Sequence, residues 1–273
     1  MAVKARGSRK PSNLTKHNRE VAAKILPASK MPRRFRGLFY GKSGRGKTRL
    51  AASAPKCLII DVNEEGTDSV RRDYDPNVFP VKFWQEINDV YWYLQSGDHP
   101  YESVAVDGLT GLQELCMKFV LGDEASRDAS RDPDMPSKQA WGKTGELMKT
   151  QIMNFRNLPM HVIFTALERK SVIGDDEDDD VEVFISPALS PSVAGTAERA
   201  VGMIGYLQTR NVVVRARGEE GKKKSTTVRV PKTRLLVAPS ERYLSKDRYH
   251  IGAPHVDEPN VTAIIQQIYG GRK

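Results

Sequence analysis

Residues 41–48 read Gly41-Lys42-Ser43-Gly44-Arg45-Gly46-Lys47-Thr48, and every position satisfies the pattern G-x-x-x-x-G-K-[ST]. An apolar run, Phe35 to Tyr40, leads into the stretch, and a helix-capable segment, Arg49 to Ala54, leaves it. Strand, glycine loop and helix in that order are the setting in which this pattern cradles phosphate. Glycines at 41, 44 and 46 remove the Cβ atoms that keep a backbone from curling round an anion, and they permit positive φ where the loop turns. Successive N–H groups can then converge on one anion, joined by the unpaired amides of the helix start. Lys47 adds a full charge for the β- and γ-phosphate oxygens. Thr48 offers a hydroxyl to a magnesium ion that bridges them. ATP with Mg2+ is the expected ligand, and residues 41–48 are its expected binding loop.

Outward from the loop, short apolar runs alternate with helical periodicity, the pattern of a parallel sheet with helices on its faces. Leu58 to Val62, Ser103 to Val106 and His161 to Thr165 are continuous enough to be strands buried on both sides. Trp84, Ile87, Val90, Tyr91 and Leu94 recur at three and four before Gly97, which predicts an amphipathic helix with a stop. Leu109, Leu112, Leu115, Cys116 and Phe119 predict another, and residues 139–156 a third. The last third of the chain changes character. Segments 171–173 and 181–186 flank an acidic tip, Gly174 to Asp180, and segments 211–217 and 226–230 flank a basic tip, Gly218 to Ser225. Both read as hairpins. The expected fold is α/β, a mostly parallel central sheet flanked by helices, with C-terminal antiparallel hairpins near 171–186 and 210–237.

The chain has 273 residues and a net charge of +9. Residues 1–36 hold eleven Lys or Arg against the single acid Glu20, so the remainder nets −1. We read 1–34 as a basic, largely disordered arm and 35–273 as one ATPase domain. Residues 210–234 hold nine Lys or Arg against Glu219 and Glu220, a second basic surface. Nucleic acid is the partner such surfaces imply. No run of 18 apolar residues and no signal-peptide core is found, so no membrane role and a cytoplasmic location are expected. Cys57 and Cys116 lie in apolar segments without metal-type spacing, as reduced core residues would.

Hydrolysis asks for more than a phosphate loop. Asp107 ends the strand in Ser103-Val104-Ala105-Val106-Asp107, so its carboxylate is expected at the same sheet edge as the loop, holding Mg2+ through water. Glu64 and Glu65 follow the strand after the loop's helix, and either can face a water attacking the γ-phosphate; Glu65, directly before Gly66 and Thr67, is favoured. Thr165 and Glu168, at the end of the third strand, stand where a polar group can sense that phosphate.

The order of these segments, GKSGRGKT, LIIDVNEEGT, SVAVDGLTGL, HVIFTALERK and YLSKDR, resembles the phage-encoded RecA-like P-loop ATPases that serve as single-strand annealing recombinases, over residues 35–250. The resemblance implies a RecA-type sheet, a water-polarising acid after the second strand, and basic residues on a late strand that reach a neighbouring subunit's nucleotide. Lys246 and Arg248 match the last feature, and on a strand positions two apart face the same way. It further implies single-stranded DNA as substrate in recombination, by annealing or strand exchange, a homo-oligomeric ring or filament, a separate single-strand-binding protein as a further partner, and, for a phage-encoded chain, a bacterial host's cytoplasm. Two features depart from the pattern: six acids, Asp175 to Asp180, stand where the resemblance places a DNA-contacting loop, and Asp61-Val62-Asn63-Glu64-Glu65 carries an extra residue. The alternative is a nucleotide-dependent switch or helicase loader whose partner is a protein. A small-molecule kinase is disfavoured, since no acceptor-site motif or arginine-rich lid is present.

Overall fold

The computed structural model describes residues 16–62, 66–128, 132, 135–173, 182–216 and 226–270, in two units, 1–33 and 34–273. In the first, α1 (Lys16–Lys24) precedes a single 3-10 turn, Ala28–Lys30. The second unit is built on one sheet. Its strands are β1 (Arg36–Gly41), β2 (Cys57–Val62), β3 (Asn77–Val81), β4 (Ser103–Asp107), β5 (His161–Ile173), β6 (Glu182–Pro187), β7 (Met203–Ala216), β8 (Thr226–Leu236), β9 (Lys246–Asp247) and β10 (His255–Asp257). The helices are α2 (Lys47–Ala52), α3 (Glu86–Ser96), α4 (Leu109–Arg127), α5 (Lys138–Asn157), α6 (Pro191–Ala200) and α7 (Val261–Tyr269).

The strand order is β10-β8-β7-β1-β5-β4-β2-β3, with β6 on β5 and β9 on β7. From β7 to β3 every neighbouring pair is parallel. β5 lies between the strand that feeds the phosphate loop and the strand that ends in Asp107. Alternation within each strand fills both faces. Leu38, Tyr40, Ile60 and Val106 pack under α3 to α6, while Phe39, Ile59, Ala105 and Ile163 pack under α2 and α7. That double burial is why these strands are apolar almost without interruption.

The two C-terminal hairpins are present, but they are continuations of sheet strands. β1 stops at Gly41, opposite Leu167 of β5, and β5 runs on to pair antiparallel with β6 from Glu168↔Pro187 to Ile173↔Glu182. On the other side of β1, β7 runs on from Tyr206 to pair with β8 over eleven positions. The third strand, expected over 161–165, is therefore thirteen residues long. Two ribbons thus flank the loop. Their charged tips, and the acids Glu64 and Glu65, lie outside the described residues.

Elements absent from the sequence reading are β3, α6, β10, α7 and α1, a nine-residue helix within the arm read as largely disordered, while the late strand expected around Lys246 and Arg248 is only the two-residue β9. Helix α3 ends as expected, with Gly97 in the left-handed region at φ 78°. Among the described residues no helix is long and apolar enough to cross a membrane. Cys57 and Cys116 are buried free thiols, and burial pushes each up to about 12, so neither is a nucleophile near neutral pH.

Candidate nucleotide site

The glycines of the loop serve two different needs. Gly44 (φ 71°) and Gly46 (φ 86°) sit in the left-handed region with open space around a would-be Cβ, so the backbone angle alone demands glycine there. Gly41 instead lies where a Cβ would overlap the Leu207 carbonyl oxygen of β7. The loop can leave β1 only because β7 is allowed this close. Helix α2 is six residues long and opens with Leu50 N donating to Gly46 O at 2.9 Å. In a helix so short the first free amides, rather than a long macrodipole, supply the positive end.

Lys47 is buried, and its Nζ donates to Gly41 O at 3.4 Å and Lys42 O at 3.2 Å. These are long contacts to the loop's own carbonyls, and they fold the ammonium group back over the loop. Asp107 lies two strands away with no exposure at all. Its Oδ1 accepts from Thr165 Oγ1 at 2.6 Å, and Thr165 Oγ1 in turn accepts from Gly108 N at 2.9 Å. Oδ2 is buried and has no hydrogen-bond partner among the described residues. Burial raises the carboxyl's pKa above its ordinary value; the hydroxyls of Thr165 and Thr48 pull it back, Asp61 pushes it further up, and Lys47 lowers it. Of the two hydroxyls only that of Thr165 forms a hydrogen bond by geometry; Thr48 acts through its proximity. A buried acceptor oxygen aimed among Lys47, Thr48 and Asp61 fits the hydrated shell of a magnesium ion, since Mg2+ keeps several waters and takes one or two carboxylates.

Thr165 is thus placed beneath the carboxylate, both roles of its hydroxyl engaged by Asp107 and Gly108. Asp61 is the residue that sequence reasoning passed over. Its Cα is the register partner of Asp107 on the neighbouring strand, and Thr67 Oγ1 donates to its Oδ2 at 3.4 Å. The aspartate was visible in LIIDV, but nothing in one sequence says that β2 and β4 are neighbours in that register. Just beyond the two candidate glutamates, Gly66 packs on the loop's helix, where an added Cβ would come within 2.6 Å of Thr48 Oγ1. The chain segment after β2 therefore returns to the magnesium-side hydroxyl.

Around the base of the two ribbons, Glu168 Oε2 accepts from Tyr206 OH at 3.0 Å, tying β5 to β7 across the end of β1. The Tyr206 ring lies 5.3 Å from Tyr40 and 5.7 Å from Tyr243. Burial and then Glu168 push Tyr206 up to about 12, against the opposing charge of Arg45 in the loop. Beside α2 a cavity of about 450 Å3 is lined by Gly46, Arg49, Leu50, Tyr74, Lys232, Thr233 and Glu258, so the root of the basic ribbon reaches the loop. The Arg49 guanidinium sits 6.0 Å from the Tyr74 ring centroid.

Lys246 and Arg248 are elsewhere. Strand β9 pairs with the start of β7, Ile204↔Lys246 and Met203↔Asp247, at the amino edge of the parallel sheet. Lys246 Nζ donates to Glu198 O at 2.5 Å and Val201 O at 2.8 Å, capping the carbonyl end of α6. β9 is two residues long, so the shared face expected of positions 246 and 248 does not arise. Arg248 lies past its end, exposed, with its N donating to Gly202 O, while Gly202 N donates to Arg36 O. Five residues of β1 separate that level from Gly41, about 16 Å at 3.3 Å per residue. Neither side chain belongs to this chain's own phosphate loop.

The basic ribbon is partly neutralised within the chain. Arg234 forms a two-point pair with Asp257 at 2.6 and 3.1 Å, and Lys232 pairs with Glu258 at 3.1 Å. Both acids come from β10 and the residue after it.

A family model described as an AAA domain matches residues 33–249 of this chain. No curated protein matches it. Among solved structures, the flagellar accessory protein FlaH from Methanocaldococcus jannaschii is similar over 79% of this chain and 80% of its own, at 10% sequence identity and a TM-score of 0.31.

Proposed function

Since this chain belongs to the AAA domain family, whose members carry a P-loop ATPase domain, we propose that it binds MgATP at residues 41–48 and hydrolyses it while acting on single-stranded DNA in recombination. The observation that carries the nucleotide part is the pairing of a complete phosphate loop with Asp107, whose buried Oδ2 lacks a partner among the described residues. Lys47 would leave the carbonyls of Gly41 and Lys42 for the phosphate oxygens. Thr48 and Asp107 would hold the magnesium ion, Asp107 through water and in an orientation fixed by Thr165. Bound there, the ion supplies neutralisation of the charge that develops on the phosphates. Glu65 or Glu64 would orient the attacking water, a role supported by the return of Gly66 to Thr48. The cavity beside Gly46, Arg49 and Tyr74 suits the nucleoside. Arg248, out of reach of its own loop, would act only on a neighbour's triphosphate, in a head-to-tail ring or filament.

Single-stranded DNA is favoured by the sum of basic charge in the arm and ribbon, which would bind backbone by counterion release and weaken with salt. The neutralised pairs Lys232–Glu258 and Arg234–Asp257 favour the other reading, a nucleotide-dependent switch or loader that grips a protein. ATPase rate and particle size with and without single-stranded DNA of graded length decide between them. Stimulation that grows with length supports the recombination reading. A rate indifferent to DNA transfers the assignment to the switch, and no ATP turnover with Mg2+ in either condition overturns hydrolysis itself.

A further inference from the structure

At the lateral end of the sheet opposite the basic ribbon, the chain leaves β3, turns through Lys82 and Phe83, and enters α3. Facing it is the second half of α4. Between them lies an open hollow of about 620 Å3, walled by Trp84, Leu115, Phe119 and Gly122, with Phe83 on its rim. Phe83 is 66% exposed, a large aromatic that this fold leaves uncovered. Gly122 takes part by having no side chain, since a Cβ there would meet nothing within 4 Å.

The charges around the hollow are unequal in their engagement. The acids are occupied: Glu86 accepts the Lys82 and Phe83 amides at 2.7 and 2.9 Å, and Asp123 accepts from Lys143 at 2.5 Å and pairs with Arg127 at 3.1 Å. These contacts hold both carboxyls below the usual range. The cations Lys82 and Lys118 line the same hollow and are exposed; neither ammonium group has a hydrogen bond or ion pair among the described residues, and the charge of Lys82 adds only a lesser pull on Glu86. An apolar receptacle between two uncommitted ammonium groups is complementary to an extended acidic segment that carries one large apolar side chain.

We propose that this hollow is a docking site for such a segment of a partner protein, the acids lying along Lys82 and Lys118 and the apolar anchor filling the space beside Phe83 and Phe119. Single-stranded DNA fits it less well. Two cations make no continuous track, and a concave pocket takes an inserted side chain more readily than a stacked base. The hollow is six strand spacings from β8, roughly 30 Å, so the segment and the basic ribbon's ligand occupy separate surfaces. The inference does not rest on the nucleotide reading.

The probe is a fluorescein-labelled peptide, Asp-Asp-Asp-Ala-Leu-Phe, titrated with the full chain by fluorescence anisotropy. We expect saturable binding, weakened about tenfold or more by Lys118→Glu and by Phe83→Ala, with the ATPase rate and thermal melting of both variants unchanged. A peptide with Lys in place of Asp is expected not to bind. Absence of saturation at millimolar protein, or an affinity untouched by Lys118→Glu, overturns the proposal. Displacement of the peptide by an oligothymidine with equal sensitivity to both variants also overturns it and assigns the hollow to nucleic acid.

Discussion

Lys47 and Lys246 stand at opposite edges of one parallel sheet, and both rest their ammonium groups on backbone carbonyls. They do so on different terms. Lys47 is almost wholly buried, yet its two bonds to carbonyls of the loop that it belongs to are 3.2 and 3.4 Å long. Lys246 makes contacts of 2.5 and 2.8 Å to the last carbonyls of a helix, which carry the negative end of that helix. A cation held by long bonds inside a cleft can exchange them for phosphate at little loss. One held by short bonds at a helix end is part of the scaffold. The carboxyl edge is therefore built to be completed by a ligand, and the amino edge is already complete except for Arg248.

The largest expected effect tests that exception. If Arg248 serves a neighbour's triphosphate, Arg248→Ala lowers turnover by on the order of a thousandfold without loss of ATP binding. Mixing it with a Lys47→Ala subunit restores part of the rate, because each variant damages a different half of a shared site. Rate loss without rescue places Arg248 in the scaffold with Lys246.

Lys47→Ala comes next, weakening ATP affinity by on the order of a hundredfold, about 3 kcal/mol, in an equilibrium binding titration. Retained tight binding breaks the assignment of the carboxyl edge. Lys246→Met runs the opposite way. It strips two charge-assisted bonds from the end of α6 and is expected to cost about 1 kcal/mol, a fall of roughly 2–4 °C in Tm, with ATP affinity intact. A nucleotide-binding defect at unchanged Tm would reverse the comparison.

The smallest effect concerns pH at the amino edge. His161 Nδ1 accepts from Phe35 N at 2.9 Å, so the ring is held neutral, and burial followed by Arg36 lowers its pKa below the usual histidine value. A group with a depressed folded pKa contributes stability above its unfolded pKa, near 6.5, and loses it as pH falls through the lower folded value. Melting at pH 7.5 and 5.5 is expected to show a larger acid loss for the native chain than for His161→Asn, which keeps an acceptor but does not titrate. Equal losses would show that His161 is uncoupled from the edge.

The sequence carried the carboxyl edge better than the amino edge, for reasons visible in particular residues. The phosphate loop and Asp107 were legible because local pattern determines them: glycine where φ must be positive, and an acid at the end of an apolar strand. Asp61 was not, because its importance comes from register with Asp107, a pairing between strands some 46 residues apart. Lys246 and Arg248 looked like a matched pair on a strand, but β9 ends between them. The short β3, β9 and β10 are fixed by tertiary pairing with longer strands and carry no periodicity of their own. Helix α7 was missed although Val261 and Ile264 are buried and Asn260 caps it through Ala263 N. The signal was there, in an Asn followed by an apolar face at three and four.

The placement of β1 between two strands that outrun it has a mechanical consequence. β5 and β7 share β1 as a common root, and the Glu168–Tyr206 bond cross-ties them just above it. Neither prong of this fork can tilt without straining either that tie or the hydrogen-bonded ladder beside Gly41. Torque applied at one tip is therefore delivered to the stem, which is the backbone that opens into the phosphate cradle.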